Sequence, residues 1–209
     1  MRCSVVIATH NRSQLLYRSL WSILALGSRK PEEIVVCDDG PSGDDTAEVV
    51  RHYAAEFPDV QISYTTNPKI GGWSNPAIPR NRAIRLTDPE HEVLVFSEPE
   101  MLWPGGTLEN LMGFFERPPA SLPAQFPWLP PIPVPQHFFV TASHIGYCLE
   151  ESGIADDRWR DPMAVFGGEK TDRRWPEINT RVCAVLREDV FKVRGWDERF
   201  TGWGMDDVD

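Results

Sequence analysis

The chain has no glycine-rich loop after its first apolar run, no Cys-x-x-Cys pair and no long uninterrupted hydrophobic stretch. Each absence excludes something. A dinucleotide site needs glycines between its first strand and the following helix, so that a pyrophosphate can approach the backbone. Thr9-His10-Asn11-Arg12 stands there instead, which argues against a nicotinamide cofactor. Cys3, Cys37, Cys148 and Cys183 lie in or beside apolar segments, so they read as buried free thiols of a reducing compartment, not as zinc ligands or disulfides. A membrane-spanning helix takes about 20 apolar residues, and no such run occurs; the apolar core of the first ten residues is also too short for a signal peptide. Positive charge is scarce, with 21 Lys and Arg against 31 Asp and Glu and a net charge of -10. That balance argues against nucleic acid as a partner, because phosphate backbones draw basic patches. The expected location is cytoplasmic, with peripheral contact at the inner membrane face compatible with it.

What remains is a chain of 209 residues, 41% hydrophobic and 25% charged, which suits one α/β domain. Short β-branched runs alternate with helical stripes. Ser4–Ala8 reads as a strand, and Leu15, Leu16, Leu20, Ile23 and Leu24 as one face of a helix ended by Gly27 and Pro31. Ile34–Cys37 is a second strand running into Asp38-Asp39-Gly40. Ser42 followed by Asp45 reads as a capping box opening the next helix. Val60–Thr65 is a third strand. A helix near Arg80–Leu86 follows, with Pro79 in its first turn, and Val93–Phe96 is a fourth strand. The order β-α-β-α-β-α-β predicts a mostly parallel, doubly wound sheet. Ligands of such sheets bind beyond the carboxyl ends of the strands, where strand order reverses. Three strand ends are polar there: Thr9-His10-Asn11, Asp38-Asp39, and Glu98 with Glu100.

Beyond the fourth strand, residues 118–135 hold eight prolines, too many for a helix or a central strand. This stretch reads as a surface loop joining a nucleotide-binding half, residues 1–117, to an acceptor half, residues 136–209. In that second half Arg181–Leu186 reads as a strand and Glu188–Val193 as a helix. The chain ends on Trp203-Gly204-Met205-Asp206-Asp207-Val208-Asp209, three acids behind an aromatic and a glycine. The alternative for this run is a solvated acidic terminus.

Four of these segments together resemble the inverting GT-A glycosyltransferases of family 2 and their galactosyltransferase relatives. Ser4-Val5-Val6-Ile7-Ala8-Thr9-His10-Asn11-Arg12 is similar to the family's opening strand, and Val35-Val36-Cys37-Asp38-Asp39-Gly40 to its second. Pro79-Arg80-Asn81-Arg82-Ala83-Ile84 is similar to its Arg-Asn helix. Gly195-Trp196-Asp197-Glu198-Arg199-Phe200, with the terminal acids, resembles its catalytic block. The resemblance implies a GT-A fold and transfer of a sugar from a nucleotide-diphosphate donor, UDP-linked by preference, to a glycan or other hydroxyl acceptor. It places the nucleotide against Ala8, Thr9, His10, Asp38, Asp39, Arg80 and Asn81, with Asp38 open to a purely structural turn role. It makes Asp207 the general base beside Asp206, and sets Trp203 and Gly204 against a sugar.

Two departures stand out. The family carries Asp-x-Asp after its fourth strand, for Mn²⁺ or Mg²⁺; here Glu98-Pro99-Glu100 occupies that frame. Glutamate also offers hard oxygen, and the alternative is a strand-to-turn segment with two exposed acids. Asp206 stands where the family usually has Glu, and the end at Asp209 reads as a compact version or a truncation. A catalytically impaired nucleotide-sugar-binding module is therefore the second reading. A sugar nucleotidyltransferase would need a basic, glycine-rich first loop, which is lacking.

Overall fold

The computed structural model describes residues 1–68, 75–119, 121–122, 132–133, 139–141, 146–147 and 182–199. Its elements in chain order are β1 (Cys3–Thr9), α1 (Ser13–Ala25), β2 (Glu33–Asp38), α2 (Thr46–Glu56), β3 (Gln61–Thr66), α3 (Ala77–Leu86), β4 (Val93–Ser97), β5 (Met101–Leu102) and α4 (Thr107–Glu116). There follow β6 (Ser121–Leu122), β7 (Ile132–Pro133), β8 (Phe139–Thr141), β9 (Gly146–Tyr147), β10 (Val182–Leu186) and α5 (Arg187–Val193). Among the described residues the main sheet has six strands in the order β3-β2-β1-β4-β10-β8. The first four run parallel, and β10 is antiparallel to both of its neighbours. Strand order therefore reverses between β1 and β4, as the doubly wound reading expects.

The strands form where β-branched residues run without interruption, because they are buried on both faces. β2 is buried along its whole length, as is β4. Alternate residues feed two cores. Val5, Ile7, Ile34 and Val36 pack with Leu16, Leu20, Leu108 and Met112 under α1 and α4. Val6, Val35, Leu94 and Phe96 pack with Ala83, Ile84 and Val190 under α3 and α5. Burial of Leu16, Leu20, Ile23 and Leu24 confirms the apolar stripe of α1.

The amino ends of the strands are tied by a buried carboxylate. Glu33 is 1% exposed and its Oε2 accepts from the Ser4 hydroxyl at 2.7 Å and the Asp88 N–H at 2.9 Å. His91 shares the Ser4 hydroxyl at 2.8 Å. Arg187 donates to Thr87 Oγ1 at 2.6 Å, joining the start of α5 to the end of α3. This cluster fixes the sheet at the end away from the polar strand termini.

Two local expectations are corrected. Ser42 and Asp45 form no capping box: α2 begins at Thr46 and its N-cap, Asp45, makes no side-chain cap bond. Asp44 does that work, accepting from the Thr46 N–H at 3.1 Å and from the Ser13 N–H at 2.8 Å. The Ser42 hydroxyl instead accepts from the Asn11 N–H at 2.7 Å. In addition, α3 starts at Ala77 and not near Arg80, and the Arg80 N–H bonds the Pro76 carbonyl at 3.2 Å. The proline-rich stretch is crossed by a two-residue antiparallel ladder, β6 with β7, separate from the main sheet.

Candidate active site at the carboxyl edge of the sheet

The carboxyl ends of β1, β2 and β4 deliver their polar residues to one edge. Thr9 is 5% exposed, its carbonyl accepts from the Asp39 N–H at 2.9 Å, and its hydroxyl has no partner among the described residues. A buried hydroxyl left without a protein partner at a strand switch point has hydrogen-bonding capacity to give to a ligand. Ala8 and Thr9 stand in register with Cys37 and Asp38, so the first two polar strand ends lie side by side.

Asp38 is fully buried and used up within the protein. It accepts from the Tyr64 hydroxyl at 2.9 Å and the Ser42 N–H at 3.0 Å, and pairs with His10 Nδ1 at 3.1 Å. Burial, with the Asp38 carboxylate second, pushes the Tyr64 hydroxyl up to about 12, so that tyrosine stays a donor. The other His10 nitrogen meets Asn11 Nδ2 at 3.1 Å. Since an amide N–H₂ can only donate, Nε2 accepts and Nδ1 carries the proton toward Asp38. The imidazole is thereby held in one tautomer and one orientation, with 30% of the side chain exposed. Asn11 adopts φ 51°, which asparagine tolerates better than most residues, and its Oδ1 accepts from the Gly43 N–H at 2.7 Å.

Asp39, 7% exposed, has looser partners. Asn67 Nδ2 donates at 3.2 Å and the Asn75 N–H lies at 3.5 Å. These contacts orient the carboxylate and leave it acceptor capacity. Cys37 beneath them is no nucleophile: burial pushes its thiol up to about 12, and that of Cys3 likewise. Cys183 is also buried, at 5% exposed.

The two glutamates after β4 each meet an arginine. Arg80, 8% exposed, lies 3.4 Å from Glu98 Oε1, and its guanidinium sits 5.6 Å from the Trp196 ring. Arg12, at the N-cap of α1, donates to Glu100 Oε2 at 2.8 Å. The Met101 N–H closes a turn on the Glu98 carbonyl at 3.2 Å, and the buried Trp103 braces it by donating its indole N–H to Ser97 Oγ at 3.2 Å. Both acids thus face the same edge as Thr9 and Asp39. Their donor set is two hard carboxylates, which fits a Mg²⁺- or Mn²⁺-type ion that takes its other ligands from phosphate and water. Among the described residues no group of three or more His, Cys, Asp or Glu is placed to hold a metal by itself.

Asn81 points elsewhere. Its Oδ1 accepts from the Trp196 N–H at 2.9 Å, and its Nδ2 donates to the Trp196 carbonyl at 2.8 Å and Glu198 Oε1 at 3.0 Å. Arg82 donates to Thr65 Oγ1 at 3.4 Å, away from Glu98. Trp196 packs edge-on against Phe96, with ring centroids 4.3 Å apart. Trp203, Gly204, Asp206 and Asp207 lie outside the described residues, as does Cys148.

Residues 4–194 match the sequence profile of Glycosyl transferase family 2. The chain belongs to that family. Within the family it is 31% identical, over 99% of its length, to a validoxylamine A glucosyltransferase of Streptomyces hygroscopicus subsp. limoneus, covering 46% of that protein. A validoxylamine A glucosyltransferase of Streptomyces hygroscopicus subsp. jinggangensis is 30% identical over 99% of the chain and 49% of that protein. The chain therefore spans about half the length of the curated relatives it matches. Among solved structures, the mannosyltransferase PcManGT from Pyrobaculum calidifontis, in complex with GDP-Man and Mn²⁺, superposes over 94% of this chain and 48% of its own with TM-score 0.58 at 21% identity. That likeness is one of fold, and with the mostly parallel sheet it bears out the GT-A expectation.

Sequence reasoning missed Asn67, Tyr64 and the pairing of Arg12 with Glu100. The third strand also ends in polar residues, Thr65-Thr66-Asn67, and that was the available signal for Asn67. Nothing along the chain links Tyr64 to Asp38 or Arg12 to Glu100. Among the described residues no helix is long and apolar enough to cross a membrane.

Proposed function

We propose that this family 2 domain is a glycosyltransferase. In this reading it moves a hexose from a nucleotide-diphosphate sugar, UDP-linked by preference, to an acceptor hydroxyl with inversion. The observation that carries the reading is the convergence of the unpartnered Thr9 hydroxyl, the loosely held Asp39 carboxylate and the Glu98 and Glu100 pairs at the β1/β4 switch point. Thr9 and Asp39 offer a hydroxyl and a carboxylate to the base and ribose, and the Ala8–Thr9 backbone lines the base. His10, fixed by Asp38, offers a flat ring for stacking. Glu98 and Glu100 would hold Mn²⁺ or Mg²⁺, which supplies charge compensation for the departing diphosphate. Arg80 and Arg12 stand beside the same charge.

Asp207 is assigned the base. Its carboxylate takes the acceptor proton while the acceptor oxygen bonds the anomeric carbon and the bond to the diphosphate oxygen breaks. One displacement inverts the centre, and the nucleoside diphosphate leaves. Asp206 lies beside it in sequence, and Trp203 with Gly204 is assigned to the sugar.

Calorimetric titration with UDP in the presence and absence of Mn²⁺, followed by UDP release from a panel of UDP-sugars, tests the reading. Expected are metal-enhanced UDP binding, UDP bound at least about tenfold more tightly than GDP, a gap of ~1.4 kcal/mol, and turnover lowered ~10²–10⁴-fold by Asp207→Asn. Equal UDP affinity with and without Mn²⁺ would make Glu98-Pro99-Glu100 a structural turn. The paired state of both glutamates favours one second reading, a nucleotide-sugar-binding module without turnover, and binding without UDP release would establish it.

A further inference from the structure

The Arg-Asn segment of α3 resembles the family's nucleotide-binding helix, yet both N–H donors of the Asn81 amide and one lone pair of its Oδ1 are taken up by the turn that follows α5. Among the described residues, its side-chain hydrogen bonds go to Trp196 and Glu198 of that turn. That turn is unusual in its own right. Arg194 and Gly195 both take positive φ, 69° and 78°. A Cβ on Gly195 would lie 2.3 Å from Asn81 Oδ1, so only glycine lets the turn approach this closely. Asn75, 7% exposed, donates its Nδ2 to the Glu198 carbonyl at 2.9 Å. Arg85 reaches Glu198 Oε1 at 3.3 Å. The same turn touches the donor side, because the Arg80 guanidinium approaches both the Trp196 ring, at 5.6 Å, and Glu98, at 3.4 Å.

We infer that Asn81 is a positioning residue: it clamps the turn Gly195–Glu198 onto α3, and so sets where the acid-bearing chain that follows in the sequence leaves the donor-binding sheet. This inference rests on the glycosyltransferase reading and adds to it a residue whose work is alignment, not ligand contact. The clamp is two-ended, with Asn75 at Glu198 and Asn81 at Trp196. It uses a side-chain amide because only an amide offers an acceptor and two donors together, as the Trp196 N–H and the two oxygens opposite require. A misplacement of the reacting group by about 1 Å costs on the order of 10²-fold in rate, which sets the expected scale.

The test compares Asn81→Ala with the unmodified protein by three measurements. Amide hydrogen exchange should quicken at Trp196–Arg199 and stay unchanged in β1, β2 and β4. UDP affinity by calorimetry, with Mn²⁺, should stay within about twofold. Release of UDP from the best UDP-sugar substrate should fall about 10²-fold in kcat. Glu198→Ala, at an exposed position and so harmless to folding, should give a smaller effect of the same pattern, and it carries the test if Asn81→Ala does not fold. A parallel loss of UDP affinity and turnover would overturn the inference and return Asn81 to the nucleotide; unchanged exchange at Trp196–Arg199 would overturn it as well. If the unmodified protein neither binds UDP nor releases it, the glycosyltransferase reading itself falls. Quickened exchange in Asn81→Ala would then mark a structural clamp without a positioning role.

Discussion

Replacing Arg12 by glutamine should make the protein bind Mn²⁺ more tightly. Arg12 donates to Glu100 at 2.8 Å, and the two side chains are 37% and 20% exposed. The guanidinium therefore occupies the carboxylate that the proposed metal would use, and any cation entering there must displace it. Two unit charges 4 Å apart interact by about 1 kcal/mol in water and about 4 kcal/mol at the effective dielectric of a protein surface. Exposed pairs measure only ~0.2–1 kcal/mol, so this partly exposed pair belongs toward the lower part of the ~1–4 kcal/mol range. Removing a competitor worth ~1.4 kcal/mol raises affinity about tenfold. Glutamine keeps the first two methylenes of the stem and a polar end while removing the charge. Mn²⁺ binding is read by electron paramagnetic resonance of the free ion, without nucleotide, on the intact chain. In a Glu100→Gln background the same substitution should gain nothing, because the cycle then lacks the partner. UDP affinity without metal should fall, since the diphosphate loses a nearby cation. Unchanged or weaker Mn²⁺ binding in Arg12→Gln would refute competition at Glu100.

Gly195→Ala should lose at least ~2 kcal/mol in a urea melt, combining the left-handed backbone cost of about 1–2 kcal/mol with displaced bonds of roughly 0.5–1.5 kcal/mol each; a loss below about 0.5 kcal/mol would show that the close approach to Asn81 is not needed. Glu33→Ala should cost about 3–5 kcal/mol in the same assay, because it removes the carboxylate that accepts from the buried Ser4 hydroxyl and the Asp88 N–H, two bonds to a charged group at roughly 1.5–3 kcal/mol each, whereas a near-neutral result would mean the cluster carries no weight. Stability should also fall on the alkaline side. Cys3 and Cys37 rise from 9.0, and Tyr64 from 10.0, to about 12 in the fold. A raised folded value means that the unfolded chain gives up these protons first, so their contribution is complete below pH 9 and is lost between pH 9 and 12. Thermal melts at stepped pH should show the decline, and Tyr64→Phe should flatten its upper part; a midpoint constant from pH 9 to 11.5 would contradict the burial of these groups.

Strands β1, β2 and β4 were legible to within a residue or two at each end, because Val and Ile runs buried on both faces need no partner to be recognised. The register of their polar ends followed from the βαβ order alone. The start of α2 was not legible. Ser42, Asp44 and Asp45 all offer oxygen to a helix start, and the choice of Asp44 was made by the Ser13 N–H from another loop. The Asn81 amide was assigned to a nucleotide because its motif records only that an Asn stands there; the turn that claims it comes more than a hundred residues later. Arg12 and Glu100, 88 apart in sequence, met only through the neighbouring positions of β1 and β4.

The ties between the two loops at the ligand edge have a thermodynamic consequence. Asn11 to Ser42 and Gly43, Ser13 to Asp44, and Asp38 to His10, Tyr64 and Ser42 are bonds among the fold's own residues. Binding that must order a loop spends about 0.5–1.5 kcal/mol on each immobilised side chain. Here that ordering is already done by folding. UDP association should accordingly show a small entropic penalty and a heat-capacity change no larger than the ligand's own apolar area requires. Selectivity among nucleotides would then arise from misfit against a fixed contour, so altering it would take coordinated changes at His10, Asp38 and Tyr64.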